Sequence, residues 1–225
     1  MPSTAAATRR TSRRAPVPPA RGNLSRERIA SAALALIDEE GLEALTLRSL
    51  AARLGCEAMS LYHHVRHKGD LHDAVMDVLL AEWELPARGS GSPRALLARL
   101  CDSYRDLARR HPRAFVLLAG RRFNSPAALA VLDHVLGVFT DAGLTPRLAA
   151  RGFRMIGYFL NGMGLAEVAV LAIGDDPPPR AIVDRAGPQY PAIASAAPWL
   201  GPKGLDATYK AGLRALMDAI LPDAA

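Results

Sequence analysis

Residues 46–65 read TLRSLAARLGCEAMSLYHHV, and how this run is read decides the fold. Thr46 can cap a helix whose apolar face is Leu50, Ala51 and Leu54, with Leu45 placed to staple onto Leu50 and Gly55 to end it. A second short helix is expected over Ala58 to Val65. It offers Leu61 and Val65 to a core and turns Met59, Ser60, Tyr62 and His63 the other way. Two helices that cross closely need a small residue at the crossing, a residue tolerating positive φ in the turn, and an apolar anchor on the second helix. Ala51, Gly55 and Leu61 supply these in order. Any helical hairpin with a Gly turn imitates that spacing, so the flanks must support it.

Upstream, Ser25 is an N-cap with Glu27 in the first turn, and Leu24 can staple onto Ile29. Ile29, Ala33, Leu36 and Ile37 repeat at helical spacing until Gly41. Downstream, a fourth helix is expected from about Asp70 to Glu84, with Leu71, Val75, Val78 and Leu79 inward. LPARGSGSP (85–93) then interrupts the pattern. Longer helices are expected over Pro93–Arg110, Ser125–Ala142, Pro146–Ile173 and Lys203–Leu221, with a short one near Pro112–Ala119. AGPQYPAIASAAPWLGPKG reads as an irregular link before the last helix. No alternating strand pattern, repeat or nucleotide loop is visible. The expected fold is therefore all-α, a helix-turn-helix unit followed by a larger helical domain.

The chain has 225 residues, half of them apolar but only 5% aromatic, and a net charge of +6. The distribution of charge matters more than its sum. Residues 1–37 carry seven Arg against one Glu, and 44–68 carry four basic side chains against Glu57 alone. Acids collect at Asp38, Glu39, Glu40 and Glu43 and again from Asp70 to Glu84, which directs the basic charge to one face. The N-terminal run, 1–23, is basic and broken by prolines 16, 18 and 19, so a disordered basic arm is expected rather than an amphipathic targeting helix. Cys56 and Cys101 have no metal-like or disulfide spacing, which fits a reducing, cytoplasmic setting. The apolar segment 155–174 carries Asn161, Glu167 and several glycines, and reads as a buried helix with no membrane involved.

Four of the six histidines, His63, His64, His67 and His72, fall within ten residues at the end of the opening stretch and just beyond it. His63 and His67 are four apart, but the helix is expected to end near Val65 and no third ligand stands close, so no metal site and no cofactor are expected. No nucleophile is paired with a base or acid, so an enzyme is not expected.

The run LSRERIASAALALIDEEGLEALTLRSLAARLGCEAMSLYHHVRHKGDLHDAV closely resembles the DNA-binding domain of the TetR family of bacterial transcriptional repressors. The carriers are T-L-R-x-L-A-x-x-L-G and S-L-Y-x-H-V-x-x-K with a following Leu. VLLAGRRF and GYFLNGMGLAEVAVL sit where the tetracycline-repressor subgroup has its pocket segments, a looser likeness. The resemblance implies a homodimer on a palindromic double-stranded DNA operator, 24–84 being the DNA-binding domain with its connecting helix and 93–225 the ligand-binding and dimerisation domain. It places Ala58, Met59, Ser60, Tyr62 and His63 against base edges, and Thr46, Arg48, His64 and Lys68 against the phosphate backbone. Ala58 and Met59 depart from the polar residues of that subgroup; they lack bidentate hydrogen bonds and suit a thymine methyl.

For a small-molecule inducer the larger domain offers Tyr104, His111, Phe115, Leu118, Phe139, Met155, Tyr158, Phe159, Asn161, Met163 and Glu167, although the same residues would equally build a core. Leu118 falls where tetracycline repressors use a His to hold a magnesium–drug chelate, which argues against that inducer. Tyr209, Leu213, Leu216, Met217 and Ile220 form one stripe on the last helix, suited to a four-helix dimer interface or to the core of one subunit. Two readings stay open: a repressor that releases its operator on binding an inducer, and an activator or constitutive regulator whose larger domain only dimerises.

Overall fold

The computed structural model describes residues 24–120, 123–172, 189–196, 199 and 204–221. The expected arm, 1–23, and much of the link before the last helix lie outside them. The fold is all-α, with no strand among the described residues. In chain order the helices are α1 (Arg26–Glu40), α2 (Leu47–Leu54), α3 (Ala58–Leu61), α4 (Lys68–Ala81) and α5 (Pro93–Arg110). They continue as α6 (Phe115–Gly120), α7 (Pro126–Asp141), α8 (Pro146–Ala172), α9 (Pro191–Ala196) and α10 (Leu205–Ile220).

Three of the first four helices, α1, α2 and α4, are opened by side-chain caps. Ser25 Oγ accepts from Arg28 N at 3.2 Å to open α1, and Gly41 N closes it on Ile37 O at 2.7 Å. At α2, Thr46 and Ser49 form a reciprocal capping box with both bonds at 3.0 Å. Gly55 ends α2 in the left-handed region (φ 67°, ψ 35°), and Cys56 N returns to Ala51 O at 3.0 Å. A side chain other than Gly is strained there, so the turn needs this residue. Ala51, Leu50, Leu61 and Val65 are buried together, and the close crossing they allow sets the angle between α2 and α3.

Several boundaries differ from the expected ones, α4 also ending at Ala81 rather than Glu84, and two of the differences have a local cause. The helix expected over Ala58 to Val65 is α-helical only to Leu61; beyond it Tyr62 N bonds Met59 O at 3.2 Å and His64 N bonds Leu61 O at 2.9 Å, tighter i to i+3 turns. α4 begins two residues before Asp70, because the His67 ring caps it: Asp70 N donates to His67 Nδ1 at 3.0 Å. A further helix, α9, lies within the stretch expected to be an irregular link. Pro191 at its first position is tolerated because the N–H it lacks would be unbonded there anyway.

The buried side chains form one continuous core from Ile29 to Leu221, running through α4 into the larger domain. The interruption at 85–93 is a break in helix but not in packing. Arg88 binds Asp141 through Nε (2.7 Å) and Nη2 (2.6 Å), and His134 Nε2 meets Pro86 O at 3.0 Å. The 27-residue α8 is the spine of the larger domain. Its Gly152 sits under Phe139 and Ile220, and its Gly164 under Phe115; a Cβ at either would fall within 3.0 Å of a ring carbon. Gly212 of α10 accommodates Phe159 in the same way. These contacts bring α7, α6 and α10 closer to α8 than larger residues permit.

Candidate DNA-reading face and ligand pocket

The surface formed by α2, α3 and the start of α4 carries the nine residues expected to meet DNA. Arg48, Met59, Tyr62, His63 and Lys68 are exposed, as is Thr46 at the cap of α2. Ala58, Ser60 and His64 are half-buried. Met59 at 69% and Tyr62 at 47% exposure are large apolar groups held out to water on a unit of four short helices, an arrangement that folding alone does not favour. His67 and the backbone of His64 also have local duties. The first caps α4, and the second presents its carbonyl to Arg26 Nη1 at 3.2 Å. Among the described residues no group of three His, Cys, Asp or Glu side chains stands close enough to hold a metal.

Asp70 ties this surface together. Its carboxylate accepts from Arg26 Nη2 at 2.7 Å and from Arg66 N at 2.8 Å, joining α1, the α3–α4 turn and α4. The Arg26 guanidinium first, then the Arg66 amide, lower the Asp70 carboxyl to about 2 despite its burial.

The larger domain holds a cavity of about 820 Å³, its open mouth included, between α5, α6, α7 and α8. Of the expected ligand residues, Tyr104, Leu118, Phe139, Tyr158 and Asn161 line it. The Tyr104 hydroxyl donates to Asn161 Oδ1 at 2.8 Å, and its ring meets Trp83 and Phe115 edge-on at 5.0 and 5.6 Å. Burial alone pushes the Tyr104 hydroxyl far up, so it stays protonated. The Cys101 thiol, also in the wall, is pushed up to about 12 chiefly by burial and is no thiolate ligand at neutral pH.

The other six expected residues are not brought to this cavity. Glu167 is buried in an ion cluster, accepting from Arg105 Nε at 2.9 Å and Arg109 Nε at 3.0 Å, while Arg105 also meets Asp206 at 2.7 Å. Two arginines compensate that buried carboxylate and leave none of it for a ligand. His111 lies between two carboxylates of the N-terminal unit, with Nδ1 2.7 Å from Asp38 Oδ2 and Nε2 2.9 Å from Glu82 Oε2. Phe115 is packed on Gly164, Phe159 is stacked with Tyr209 at 6.1 Å, and Met155 and Met163 are half-buried away from the wall.

Sequence reasoning missed Trp83, Phe123, Phe153, Arg154 and Gly157, all in the wall. The signal for two of them was present: Arg154, Gly157, Tyr158 and Asn161 are spaced i, i+3, i+4, i+7, one face of α8. The lining residues include no carboxylate and no imidazole, and Leu118 occupies the helix α6 position. A hard magnesium ion needs oxygen donors, so the donors present do not fit a magnesium chelate.

The stripe expected at a dimer interface turns largely inward. Tyr209, Leu213 and Met217 are buried within one subunit, and Leu216 and Ile220 are half-buried. The reason is the close seat of α10 on α8: Ile220 lies over Gly152, and Tyr209 stacks on Phe159 while its hydroxyl donates to Asp102 at 2.9 Å. The Arg105 guanidinium lies 4.2 Å above the same ring.

Comparison with known proteins agrees with this geometry. Residues 29–75 match the family described as "Bacterial regulatory proteins, tetR family", and residues 85–222 match "Tetracyclin repressor-like, C-terminal domain". The chain is 36% identical over 148 residues to the HTH-type transcriptional repressor DrrR1 of Streptomyces coeruleorubidus, a match spanning 64% of this chain but only 55% of that relative. It is 32% identical over 204 residues to the class A tetracycline repressor from transposon 1721 of Escherichia coli, covering 84% of this chain and 87% of that protein. Apo ActR from Streptomyces coelicolor superposes with a TM-score of 0.77 at 25% identity, covering 90% of this chain and 97% of ActR. ActR in complex with actinorhodin gives 0.74 at 25% identity, with 90% and 99% covered. The chain belongs to the TetR family of DNA-binding transcriptional regulators, with a tetracycline-repressor-like C-terminal domain.

Proposed function

We propose that this chain is a ligand-responsive repressor: a homodimer that holds a palindromic operator through residues 24–84 and releases it when a small molecule enters the cavity in residues 93–225. The observation that carries this reading is Trp83. It stands two residues beyond α4, lines the cavity, and is anchored by its indole N–H to Ser103 Oγ (3.0 Å) and Leu100 O (3.2 Å). The other end of α4 carries Asp70, which ties the reading surface together. A 14-residue helix is about 20 Å of rigid connection, so moving the Trp83 end displaces the Asp70 end as well. That ActR, a structural neighbour, has been solved in complex with actinorhodin supports a small-molecule ligand.

In this reading Ala58, Met59, Ser60, Tyr62 and His63 meet base edges, and Thr46, Arg48, His64 and Lys68 meet phosphates. The dimer forms on the faces of α8 and α10 that one subunit leaves open. Gly162, Leu165, Ala166 and Ala169 of α8 and Ala211 and Ala215 of α10 are exposed, small or apolar, and spaced at helical intervals.

The test is binding to the DNA upstream of the gene for this chain, across a salt series and with added metabolite fractions. The expected result is affinity that falls steeply with salt and is lost on adding the active fraction. Salt-dependent binding that no fraction alters would favour the constitutive regulator, and no binding at any salt would remove both.

A further inference from the structure

The wall of the cavity restricts the chemistry of what it takes. Six of its lining residues are aromatic, none is acidic, and the single charged one is Arg154. Arg154 stands exposed at the rim with no ion pair or hydrogen bond among the described residues. It shares one face of α8 with Asn161, about 10 Å further along at the helical rise of 1.5 Å per residue. Between them a Cβ at Gly157 would meet nothing within 4 Å, so the floor from one to the other is open. Asn161 gives its carbonyl oxygen to the Tyr104 hydroxyl, which leaves its amide N–H groups as donors. Both polar ends of this floor therefore donate, and one is a full cation.

We propose that the cavity takes a planar aromatic molecule bearing one anionic group, a carboxylate or an acidic phenol, with its rings against the aromatic wall, its charge on Arg154, and no divalent cation. This rests on the reading of the cavity as the inducer site. The aromatic wall recognises flat rings by offset and edge-on stacking. Arg154 forms charge-assisted, fork-shaped hydrogen bonds to a carboxylate. A cationic ligand would meet an arginine and no carboxylate, so like charge opposes it. A metal-bridged ligand finds neither imidazole nor carboxylate in the lining, and the Cys101 thiol remains protonated.

Three fluorescent probes of similar ring area separate the possibilities, each titrated into the full-length protein with EDTA present: anionic 1-anilinonaphthalene-8-sulfonate, its neutral analogue N-phenyl-1-naphthylamine, and cationic proflavine. The anion is expected to bind about 10-fold more tightly than the neutral probe, as one charge-assisted contact provides, and proflavine not to bind. Arg154→Gln should remove that preference by weakening the anion while leaving the neutral probe and the thermal midpoint unchanged. Equal binding of anion and neutral probe, a preference that survives Arg154→Gln, or a requirement for magnesium would overturn the proposal. Leu118→Trp, checked for helicity by circular dichroism, fills the cavity and separates the two levels. If it abolishes binding that shows no charge preference, only the ligand class is wrong; if anion-selective binding survives it, the cavity itself is not the site.

Discussion

Met59 is a large apolar side chain held out to water on the N-terminal unit. Its thioether is 69% exposed beside Tyr62, and Ala58 before it is half-buried. Neither Ala58 nor Met59 can form a bidentate hydrogen bond to a base edge, so in the proposed reading discrimination there would rest on apolar contact with a C5-methyl group. Replacing a contacted thymine by uracil removes that methyl and nothing else. The expected loss is about 1 kcal/mol per contacted thymine, the value of one buried methyl(ene). In Met59→Ala the same replacement is expected to cost almost nothing, a non-additivity that fluorescence anisotropy on paired operators measures directly. Full additivity would show that the methyl is read by another residue. The exposure of Met59 and Tyr62 was legible in their spacing against Leu61. The cap that His67 provides was not, since a histidine cap has no sequence signature comparable to Ser or Thr.

At the scale of an element, α4 runs between the two candidate sites, with Trp83 of the cavity wall two residues beyond its end. Its N-terminal end depends on Asp70, whose carboxyl is lowered to about 2 by the Arg26 guanidinium and the Arg66 amide. A group whose folded pKa lies below its unfolded value contributes stability that is present above the unfolded pKa and lost as pH falls through the folded one. The contribution of Asp70 is thus intact above about pH 5 and disappears between roughly pH 4 and 2. Because Arg26 is partly open to solvent the contribution is about 1–2 kcal/mol after screening. Urea unfolding of the wild type and of Asp70→Asn should therefore differ by about that amount at pH 7 and converge towards pH 2. A constant difference across the range would mean that packing, not charge, is what the substitution removes. The existence of α4 was plain from its apolar spacing. Its start was misplaced by two residues because the capping atom is an imidazole nitrogen, which pattern rules do not count.

Across the described residues, the N-terminal unit is joined to the larger domain through α4 and through the cluster at the end of α5. There His111 bridges Asp38 and Glu82, Arg110 binds Glu82 at 2.9 Å, and Arg113 reaches the Asp38 carbonyl at 3.2 Å. His111→Ala removes two half-buried bonds at once and is expected to cost about 1–3 kcal/mol. It should also divide a single unfolding transition into two, as residues 24–84 loosen from the rest. Calorimetry distinguishes these outcomes, and one unchanged transition would assign the coupling to α4 alone. Sequence placed His111 in the ligand set as one of the few polar groups among large apolar ones, a mixture that describes a pocket and a core equally. The tertiary structure shows its two acidic neighbours arriving from α1 and the end of α4, positions 73 and 29 residues away in sequence.

The sequence by itself determined most features that depend on neighbours along the chain. These are the capped helices, the left-handed turn at Gly55, the crossing of α2 and α3 at Ala51, and the all-α class, because caps and helical periodicity act within a few residues. Tertiary structure alone decided which side of each long helix faced what. Gly152 and Gly164 permit close packing while Gly157 leaves open floor, and the difference lies wholly in what stands opposite. Glu167 and the α10 stripe are claimed by Arg105, Phe159 and the body of α8. An apolar or charged side chain looks the same in sequence whether it meets a core, a partner subunit or a ligand, since burial is a property of the neighbours and not of the residue.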